Sequence, residues 1–433
     1  MSAMVLYVLL FIAAVVYAVK QLWSADKMAA GCAVLLLGAG MAGRILCLDY
    51  PSHDYITFLA VWFNDFKNFG LSAFKTTSSD YNAPYLYLMY LLSRLPMNDL
   101  HLIKWLSVLS DLVLCFSAME LTRLFVPRKP AVHVAALGLF WLWPTFLLNS
   151  AYWGQCDSLY TALVLLALVT LLKERPGRSV IFIALAFSFK LQTIFFLPMY
   201  LIFLAAKRVK LKHALIFPAV LCGTMIPALL AGMPLRRALG VYAGQVSQYR
   251  GLNYNSPSVF AFLPDDVNRD IFFVLGLLAA GCFVLLLLLL GYKARGRVTD
   301  RQLVLLAAVM ATGMPFLLPS MHDRYFYLAE ALALCTALLI PRLTTWSAAL
   351  LILLGSYGGY HAYLFRKYFL VPHTRMGASA LLMLAGLVLL GWQLYLELRE
   401  PAPEAAPLSE AWQESSSAPA SAFAETEIEA EES

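Results

Sequence analysis

Long apolar runs separated by short polar segments fill most of the sequence. Residues 28–47 and 271–292 each supply the roughly 20 apolar residues that a helix needs to cross a hydrocarbon core of about 30 Å. The same pattern predicts further spans at about 4–20, 100–122, 131–149, 156–172, 213–233, 302–319, 325–340, 346–364 and 376–397. The sequence therefore predicts an all-α polytopic membrane protein with about 12–13 transmembrane helices and interfacial helices in its first large external loop.

Two apolar segments do not fit a single crossing. Residues 84–95 lie between an external loop and a span that must end inside, so we expect a short interfacial helix whose tyrosines lie at headgroup level. Residues 179–206 have basic loops at both ends, although they are long enough for only one crossing. We interpret them as two short helices that meet near Lys190 and Gln192, at a polar break that faces a cavity. The tyrosines of the first segment are Tyr85, Tyr87 and Tyr90.

Composition supports the membrane assignment and argues against other classes. Hydrophobic residues make up 61% of the 433 residues and charged residues 13%, with a mean hydropathy of +0.72. The seven cysteines are scattered without a CxxC pair, which argues against a disulfide framework or a zinc site. No basic domain or motif indicates a nucleic-acid partner. Residues 4–20 lack signal-peptide features and are expected to be a retained first span.

Charge divides the chain into a membrane domain, residues 1–398, and an acidic tail, residues 399–433. The net charge is +6, but the stretch from Glu400 to Ser433 holds nine Glu and no Lys or Arg, which leaves +15 for the rest. Its low hydrophobicity predicts a disordered tail. Because Lys and Arg in short loops stay cytoplasmic, the basic loops place this tail inside and the loop 48–98 outside. We expect a multi-pass plasma-membrane protein with an extracytoplasmic site.

Four polar clusters then share the external face. Charges close to the hydrocarbon are costly unless they have a partner or a task, so we expect the four clusters to form one site. They are the aspartate-rich loop 49–80, NSAYWGQCDS at 149–158, the loop 234–270 that contains QYRGLNYNSPS, and PSMHDRY at 319–325.

Asp54 is the leading candidate for a catalytic base. It precedes an amphipathic stretch in which apolar rings recur every three to four residues, which predicts a helix lying on the membrane with a carboxylate at the positive end of its dipole. The alternative is that Asp54 only caps this helix, because Asp is strongly favoured at that position. The rings are Phe58, Trp62, Phe66 and Phe69.

Carboxylates, amides and rings of the first two clusters are candidates for binding sugar hydroxyls, since these groups make directional hydrogen bonds and an aromatic face packs on a sugar ring. Asp80 has the alternative role of a turn residue before Pro84, and Trp153 that of an interfacial anchor. Asp49 and Asp65 are interpreted as solvated loop residues. The candidates are Asp80, Tyr81, Asn82, Trp153, Gln155 and Asp157.

Cations on the same side are candidates for binding a phosphate leaving group, because charge-assisted hydrogen bonds stabilise the anion as its bond breaks. Snorkelling to the interface is the alternative for Lys190, but this residue lies far from both ends of its apolar run. The cations are Lys190, Arg250, His322 and Arg324, and the polar neighbours included in the predicted site are Gln192, Asn253 and Tyr325.

Taken in order over roughly residues 44–340, these motifs resemble the GT-C superfamily of integral-membrane glycosyltransferases. The closest similarity is to bacterial proteins related to the second mannosyltransferase of GPI-anchor assembly. The motifs are HDYITFLAVW, SDYNAPYLYLMY, IKWLSVLSDL, NSAYWGQCDSLY, AFSFKLQTIFFLP, LNYNSPS and LPSMHDRYFYLA.

The resemblance implies a membrane enzyme that passes one hexose, mannose-like, from a polyprenyl-phosphate donor to an acceptor hydroxyl on the extracytoplasmic side, with inversion. It implies that Asp54 is the base and Asp80 the second acidic residue of the catalytic loop. Where related enzymes have two Asp separated by one residue, this chain has Ser52 and Asp54, which weakens a DxD metal site. No metal ligands are assigned and no cofactor is required.

The competing class is a transporter or flippase of lipid-linked sugars, which would also carry polar groups in a polytopic chain. Transporters usually show internal repeats and ionisable residues near the midplane, and no repeat relates the halves of this sequence. A polymerase or ligase of lipid-linked glycans would have similar external loops and remains a third alternative.

Overall fold

A computed structural model describes residues 3–249, 251–264, 266–293, 298–371 and 375–399. These residues form an all-α polytopic protein, as predicted. The predicted acidic tail lies outside the described residues except for Arg399. The helices are α1 (Met4–Leu22), α2 (Lys27–Ile45), α3 (Ala60–Phe69), α4 (Ala73–Thr76), α5 (Ala83–Ser93), α6 (Asp99–Phe125), α7 (Pro130–Leu142), α8 (Pro144–Leu147), α9 (Asp157–Leu172), α10 (Pro176–Phe189), α11 (Met199–Ala205), α12 (Ile216–Leu230), α13 (Leu235–Gln248), α14 (Arg269–Lys293), α15 (Asp300–Leu317), α16 (Tyr327–Leu339), α17 (Leu343–Leu364) and α18 (Gly377–Arg399).

Short turns and one small sheet connect these helices. Two strands, β1 (Asn253–Tyr254) and β2 (Met321–His322), pair in parallel, so the loops after α13 and α15 meet. Turns of 3-10 or π geometry occur at Tyr55–Leu59, Gly70–Ser72, Leu148–Trp153, Leu191–Phe195, Leu211–Leu215 and Val259–Phe262.

Among the described residues, six helices are long and apolar enough to cross a membrane, or seven if the bent pair Pro130–Leu142 and Pro144–Trp153 counts as one span. This is fewer than the predicted 12 to 13 because several predicted spans are apolar helices of 10–17 residues: Asp157–Leu172, Pro176–Phe189, Leu191–Ala205 and Tyr327–Leu339. Of these six, α6 is the most buried, with 78% of its apolar window covered by protein, whereas the segment Leu211–Leu230, which includes α12, and helix α14 bury 6% and 17%. The last two therefore present most of their surface to the lipid.

The predicted break in residues 179–206 is confirmed. Helix α10 ends at Phe189, and Lys190 has extended backbone angles, with φ −151° and ψ 132°. A 3-10 turn, Leu191–Phe195, then leads through Pro198 into α11. Lys190 therefore lies at the break between two helices, and its side chain is buried inside the protein.

Two other predicted segments differ in the structure. The expected span 131–149 is bent by 48°, because Pro144 has no N–H to continue the hydrogen bonds of α7. The expected external loop 234–270 contains α13, a helix of 14 residues. Its sequence, LRRALGVYAGQVSQ, has two glycines and no continuous apolar run, so apolar periodicity alone did not indicate it.

The helix predicted at residues 84–95 is confirmed as α5, and two of its three predicted interfacial tyrosines contact other parts of the protein. Tyr85 is 1% exposed and stacks on Tyr81 with ring centroids 4.2 Å apart. The Tyr87 hydroxyl donates to the Thr224 carbonyl of α12 at 2.9 Å. Helix α5 thus packs between the first loop and α12, through Tyr85 and Tyr87.

The apolar face predicted for residues 58–69 divides between two environments. Trp62 and Phe66 are buried, and Phe66 packs edge-to-face on Phe74 with centroids 4.9 Å apart. Phe58 and Phe69 are 38% and 62% exposed. The face therefore packs partly against the protein, and only its flanks are available to lipid.

Contacts between side chains link several of the predicted basic loops to other segments. Lys173 Nζ is 2.5 Å from Glu120 at the end of α6. Arg123 donates a hydrogen bond to Gln21 at the end of α1. Arg208 Nη2 is 2.5 Å from Asp300 at the start of α15. These two ion pairs and one hydrogen bond join segments that are far apart in sequence.

A buried ion pair connects the first helices to the turn that carries part of the candidate site. Arg44 Nη2 and Nε lie 2.6 and 3.0 Å from Asp111 Oδ2, and both side chains are at most 1% exposed. The Ser150 hydroxyl donates to the same oxygen at 2.5 Å, and Arg44 also donates to the Trp141 carbonyl at 2.7 Å. The Arg44–Asp111 pair therefore holds α2, α6, α7 and the turn Leu148–Trp153 together.

We expect Asp111→Ala to lower the free energy of unfolding by about 3–5 kcal/mol, because it leaves the Arg44 charge buried without its partner. Unfolding in mixed micelles would measure this loss. The double variant Arg44→Met with Asp111→Leu removes both charges and is expected to recover most of the loss. Equal stability of the single and double variants would contradict an ion pair of this kind.

Candidate active site

The four predicted polar clusters meet at one cavity of about 390 Å³. Its walls come from the first loop, the segment after the α7–α8 bend, the break after α10, α13, the loop before α16 and the end of α17. The lining residues are His53, Asp54, Phe58, Leu59, Trp62, Asp80, Tyr81, Gln155, Phe189, Lys190, Leu191, Gln192, Tyr242, Gln245, Tyr249, His322, Asp323, Arg324, Tyr325, Tyr363 and Arg366.

Ser52, rather than Asp54, caps the helical turn that begins the first loop. The Ser52 hydroxyl accepts a hydrogen bond from the Tyr55 N–H at 3.1 Å and donates to the Trp153 carbonyl at 2.6 Å. Asp54 itself has helical backbone angles and no capping hydrogen bond. The alternative that Asp54 serves as the helix cap is therefore wrong, because the hydroxyl of Ser52, two residues earlier, accepts the capping hydrogen bond.

Three neutral donors hold the Asp54 carboxylate at the cavity wall. Trp153 Nε1 and Gln155 Nε2 donate to Oδ2 at 2.9 and 2.7 Å. The Tyr363 hydroxyl donates to Oδ1. The side chain is 13% exposed, so it keeps access to the cavity while its orientation is fixed from both oxygens.

Local backbone geometry explains how Trp153 and Gln155 reach the same carboxylate. The π turn Leu148–Trp153 ends at Gly154, whose φ of +83° lies in the left-handed region that favours glycine. This reversal turns the chain so that the side chains on both sides of the glycine approach Asp54. Trp153 is fixed further by stacking on Tyr363, with ring centroids 4.6 Å apart.

Asp157 pairs with the lysine at the α10 break. Lys190 Nζ lies 2.6 Å from Asp157 Oδ1, and both side chains are at most 6% exposed. Asn149 Nδ2 donates to Asp157 Oδ2 at 2.8 Å. The predicted snorkelling alternative for Lys190 is wrong, because its charge is satisfied inside the protein. Asp157 is thus an anchor for Lys190 and does not line the cavity.

Arg324 lies among three carboxylates. Its guanidinium atoms are 3.8 Å from Asp54, 3.6 Å from Asp157 and 3.6 Å from Asp323, and the guanidinium carbon lies 5.1 Å from the Trp153 ring centre. These distances exceed those of hydrogen bonds, and Arg324 Nε is buried without a hydrogen-bond partner among the described residues. Arg324 therefore neutralises the acidic wall while retaining unused donors.

His322 is not the cation that the sequence indicated. Its ring stacks on Tyr254 with centroids 4.7 Å apart. Burial, together with the nearby Arg324 charge, lowers the pKa of His322 to about 3, so the ring is neutral at pH 7. Its Nε2 and Gln192 Oε1 are buried without hydrogen-bond partners in the described part of the chain, and both residues line the cavity.

The remaining predicted residues divide into cavity-lining and structural ones. Asp80, Tyr81 and Tyr325 line the cavity, and burial raises the pKa of Asp80 above its usual range while Arg237 opposes the shift. Asn82 caps α5, and Asn253 closes a turn by bonding the backbone of Ser256 at 2.7 and 2.9 Å. Arg250 lies outside the described residues.

Several cavity residues were not predicted from the sequence. Tyr363 lies in α17, about 300 positions from Asp54, and no local pattern connects the two. Tyr242 and Gln245 belong to α13, which was expected to be loop. Asp323 lies within the PSMHDRY motif, between the predicted site residues His322 and Arg324. Its acidic side chain in that position could have indicated it.

Among the described residues, no group of three or more His, Cys, Asp or Glu gathers closely enough to hold a metal ion. Asp54, Asp157 and Asp323 instead share the positive charge of Arg324.

A comparison with protein-family models matches residues 81–252 to glycosyltransferase family 87. The matched stretch includes Gln155, Lys190 and α13 but neither Asp54 nor Arg324, and it covers less than half of the chain. The similarity supports a membrane glycosyltransferase and gives no support to a transporter. A comparison with curated proteins finds no match. The resemblance to GPI-anchor mannosyltransferases remains a prediction.

Asp323 provides a test of the electrostatics of the site through pH. Burial raises the pKa of Asp323 to about 7 although Arg324 opposes the shift, so the folded state binds a proton more tightly than an unfolded Asp with a pKa near 3.9. The contribution of this residue to stability is therefore lost as pH rises from about 4 to above 7. We expect the melting temperature of Asp323→Asn, measured relative to that of the wild type, to be higher at pH 8 than at pH 5.

Melting temperatures of both proteins in the same detergent at the two pH values measure this difference. Asp49→Asn is a matched control, because that carboxylate is 93% exposed. A difference between variant and wild type that stays constant with pH would contradict the raised pKa.

Proposed function

We propose that this protein transfers a single hexose, mannose-like, from a polyprenyl-phosphate-linked donor to an acceptor hydroxyl on the extracytoplasmic side, with inversion. The product would belong to a cell-surface glycan or glycolipid. The observation that carries the proposal is the Asp54 carboxylate, which is held by three neutral donors at the wall of a cavity lined by polar and aromatic groups. The family similarity over residues 81–252 supports the reaction class.

Asp54 would act as the general base. In a single displacement, the acceptor oxygen attacks the anomeric carbon while the bond from that carbon to the phosphate oxygen breaks. The acceptor proton passes to the Asp54 carboxylate, and the bonding electron pair leaves with the phosphate. Trp153, Gln155 and Tyr363 would orient the carboxylate, so that little conformational freedom has to be lost in the transition state.

The departing phosphate would bind at the Arg324 side of the cavity. Arg324 keeps at least one N–H donor without a hydrogen bond, and its contacts to three carboxylates are longer than direct hydrogen bonds. Lys190, which is paired with Asp157, would be a second donor at the wall. Neutral His322, with an unbonded ring nitrogen, would contribute a donor. Fixed donors of this kind stabilise charge that develops on a leaving group.

The size and lining of the cavity are compatible with one sugar unit. At about 390 Å³ it falls within the usual range for small-ligand sites, roughly 300–1,000 Å³. Tyr81, Tyr249 and Tyr325 supply aromatic faces, and Gln155, Gln192 and Gln245 supply amides. Such groups pack on sugar rings and bond their hydroxyls directionally.

We expect Asp54→Asn to lower the rate of transfer by about 10²–10⁴-fold, because the amide cannot accept the acceptor proton. Purified protein, labelled polyprenyl-phosphate-mannose and membrane-derived acceptors would measure the formation of a new glycosidic bond. Movement of label without such a bond would instead indicate a flippase.

The matched control is Asp49→Asn, the same change in the same loop at an exposed carboxylate, whose ion-pair partner among the described residues is His101 at 2.8 Å. It is expected to retain wild-type activity. Equal rates for Asp54→Asn and the wild type, with both correctly inserted, would remove Asp54 from the role of base.

The proposed orientation can be tested by cysteine labelling in intact cells. Asp49 is exposed in the loop that also carries Asp54, whereas Arg128 is exposed in the basic loop between α6 and α7. A membrane-impermeant maleimide is expected to label Asp49→Cys and to leave Arg128→Cys unlabelled until the cells are opened. Labelling with the opposite preference would place the cavity on the cytoplasmic side.

A further inference from the structure

A separate groove opens beside the N-terminal part of α10, away from the first cavity. It has a volume of about 350 Å³, and no described residue lines both this groove and the first cavity. Ile183 in its wall precedes the cavity-lining Phe189 by six residues, about 9 Å along the helix. We call it the α11 groove, because α11 forms one side of it. Its apolar lining includes Val180, Ile183, Leu197, Leu201, Leu204 and Phe217.

The α11 groove is apolar and faces outward. Leu201 and Leu211 in its lining are exposed, and so is Leu215 in the adjoining turn. The Tyr200 hydroxyl bonds the Ser179 hydroxyl at 2.8 Å and donates to the Ser179 carbonyl at 3.0 Å, so this polar group of the lining is already satisfied. An exposed apolar surface on a polytopic membrane protein is a surface for lipid contact.

The loop at the end of this groove carries positive charge without acidic partners. Lys210 is the charged residue of the lining. Arg208 in the same loop lies 2.5 Å from Asp300. Among the described residues, however, no carboxylate lies within ion-pairing distance of Lys207, Lys210 or Lys212. Three lysine charges next to an apolar groove are therefore available to an anionic ligand.

The turn after α11 does not account for its lysine. Lys207 has a φ of +59°, in the left-handed region that glycine favours at the end of a helix. Its N–H donates to the Leu204 carbonyl at 3.0 Å, and the Arg208 N–H donates to the Phe203 carbonyl at 2.9 Å. A glycine would make the same turn without the steric cost of a Cβ atom. The charged side chain at this position therefore needs another explanation.

Membrane topology explains only part of this pattern. Lys and Arg in short loops keep those loops cytoplasmic, but that rule requires no groove beside them. An anionic phospholipid would use both features, because its acyl chain covers apolar surface and its headgroup attracts lysines. The predicted orientation places this loop at the cytoplasmic leaflet, whose anionic lipids attract basic segments. A free anion would leave the apolar wall uncovered.

We propose that the α11 groove binds one anionic phospholipid of the cytoplasmic leaflet. One acyl chain would lie along the apolar wall formed by α10, α11 and α12, and the headgroup would lie at Lys210, with Lys207 and Lys212 adding attraction. This lipid would be neither donor nor acceptor, because the groove shares no lining residue with the first cavity. The inference does not depend on the proposed reaction.

The test titrates the full-length protein in detergent with phosphatidylglycerol or with phosphatidylcholine that has the same acyl chains. Native mass spectrometry measures the affinity for the first bound lipid. Wild-type protein is expected to bind phosphatidylglycerol about tenfold more tightly than phosphatidylcholine. We expect Lys210→Gln to reduce this preference about fivefold, the effect of one lysine at an anionic lipid surface.

Two further charge variants distinguish a site from general surface charge. Lys207→Gly removes a charge and gives the turn its favoured residue, so it should lower the preference without lowering the melting temperature. Lys129 is exposed in the basic loop between α6 and α7 and lines neither the α11 groove nor the first cavity. Lys129→Gln should therefore leave the preference unchanged. An equal loss in Lys129→Gln and Lys210→Gln would contradict a specific site.

Ala214→Trp provides an independent, steric test. Ala214 is exposed and lines the groove, so the indole would take the place of the acyl chain without entering the buried core. This variant is expected to weaken binding of the first lipid whatever its headgroup. Ala219→Trp is the matched control, because Ala219 is exposed on α12 outside the groove lining, and it should bind lipid as the wild type does.

Three results would overturn the inference. Equal affinity of the wild type for both lipids would mean that lipids surround the protein without a specific site. Displacement of phosphatidylglycerol by an equal concentration of polyprenyl phosphate would mean that the groove holds the carrier chain of a lipid-linked sugar. A protein dimer that binds no lipid would mean that a second copy of the chain covers the groove.

Discussion

The positive charge of Arg324 among three buried or half-buried carboxylates is the interaction on which the candidate site depends. Asp54, Asp157 and Asp323 come from different parts of the chain, and each lies within 4 Å of this one guanidinium. Carboxylates gathered without a cation would repel one another in a medium of low polarity. Arg324 therefore joins the first loop, the start of α9 and the loop before α16 into a single wall.

Neutral groups also stabilise the Asp54 carboxylate directly. An indole, an amide and a phenol hold the carboxylate without adding positive charge. The turn that carries Trp153 is itself fixed by buried contacts. Its Ser150 hydroxyl donates to Asp111, which also pairs with Arg44. Stability of the helix bundle and orientation of the candidate base thus rest on one continuous set of buried contacts, and the cavity next to it stays open.

Part of the fold and site could be predicted because the signals were local. Apolar runs predicted the helices, and two basic loops around one apolar run predicted the break at Lys190. Carboxylates and an amide beside aromatic residues indicated Asp54, Asp80 and Gln155 as cavity residues. The signals failed where a partner was distant: Tyr363 has no pattern near it, α13 is too polar for apolar periodicity, and His322 loses its charge through burial that the sequence does not display.

The sequence by itself determined that the chain is an all-α membrane protein with its polar chemistry concentrated in a few clusters, because hydrophobicity and charge act through composition over short windows. The tertiary structure decided which polar groups meet. It gave the capping role to Ser52, tied Lys190 to Asp157, and brought the Tyr363 hydroxyl to Asp54. Ion pairing, desolvation and cavity shape depend on distances between residues far apart in the chain, which no local pattern specifies.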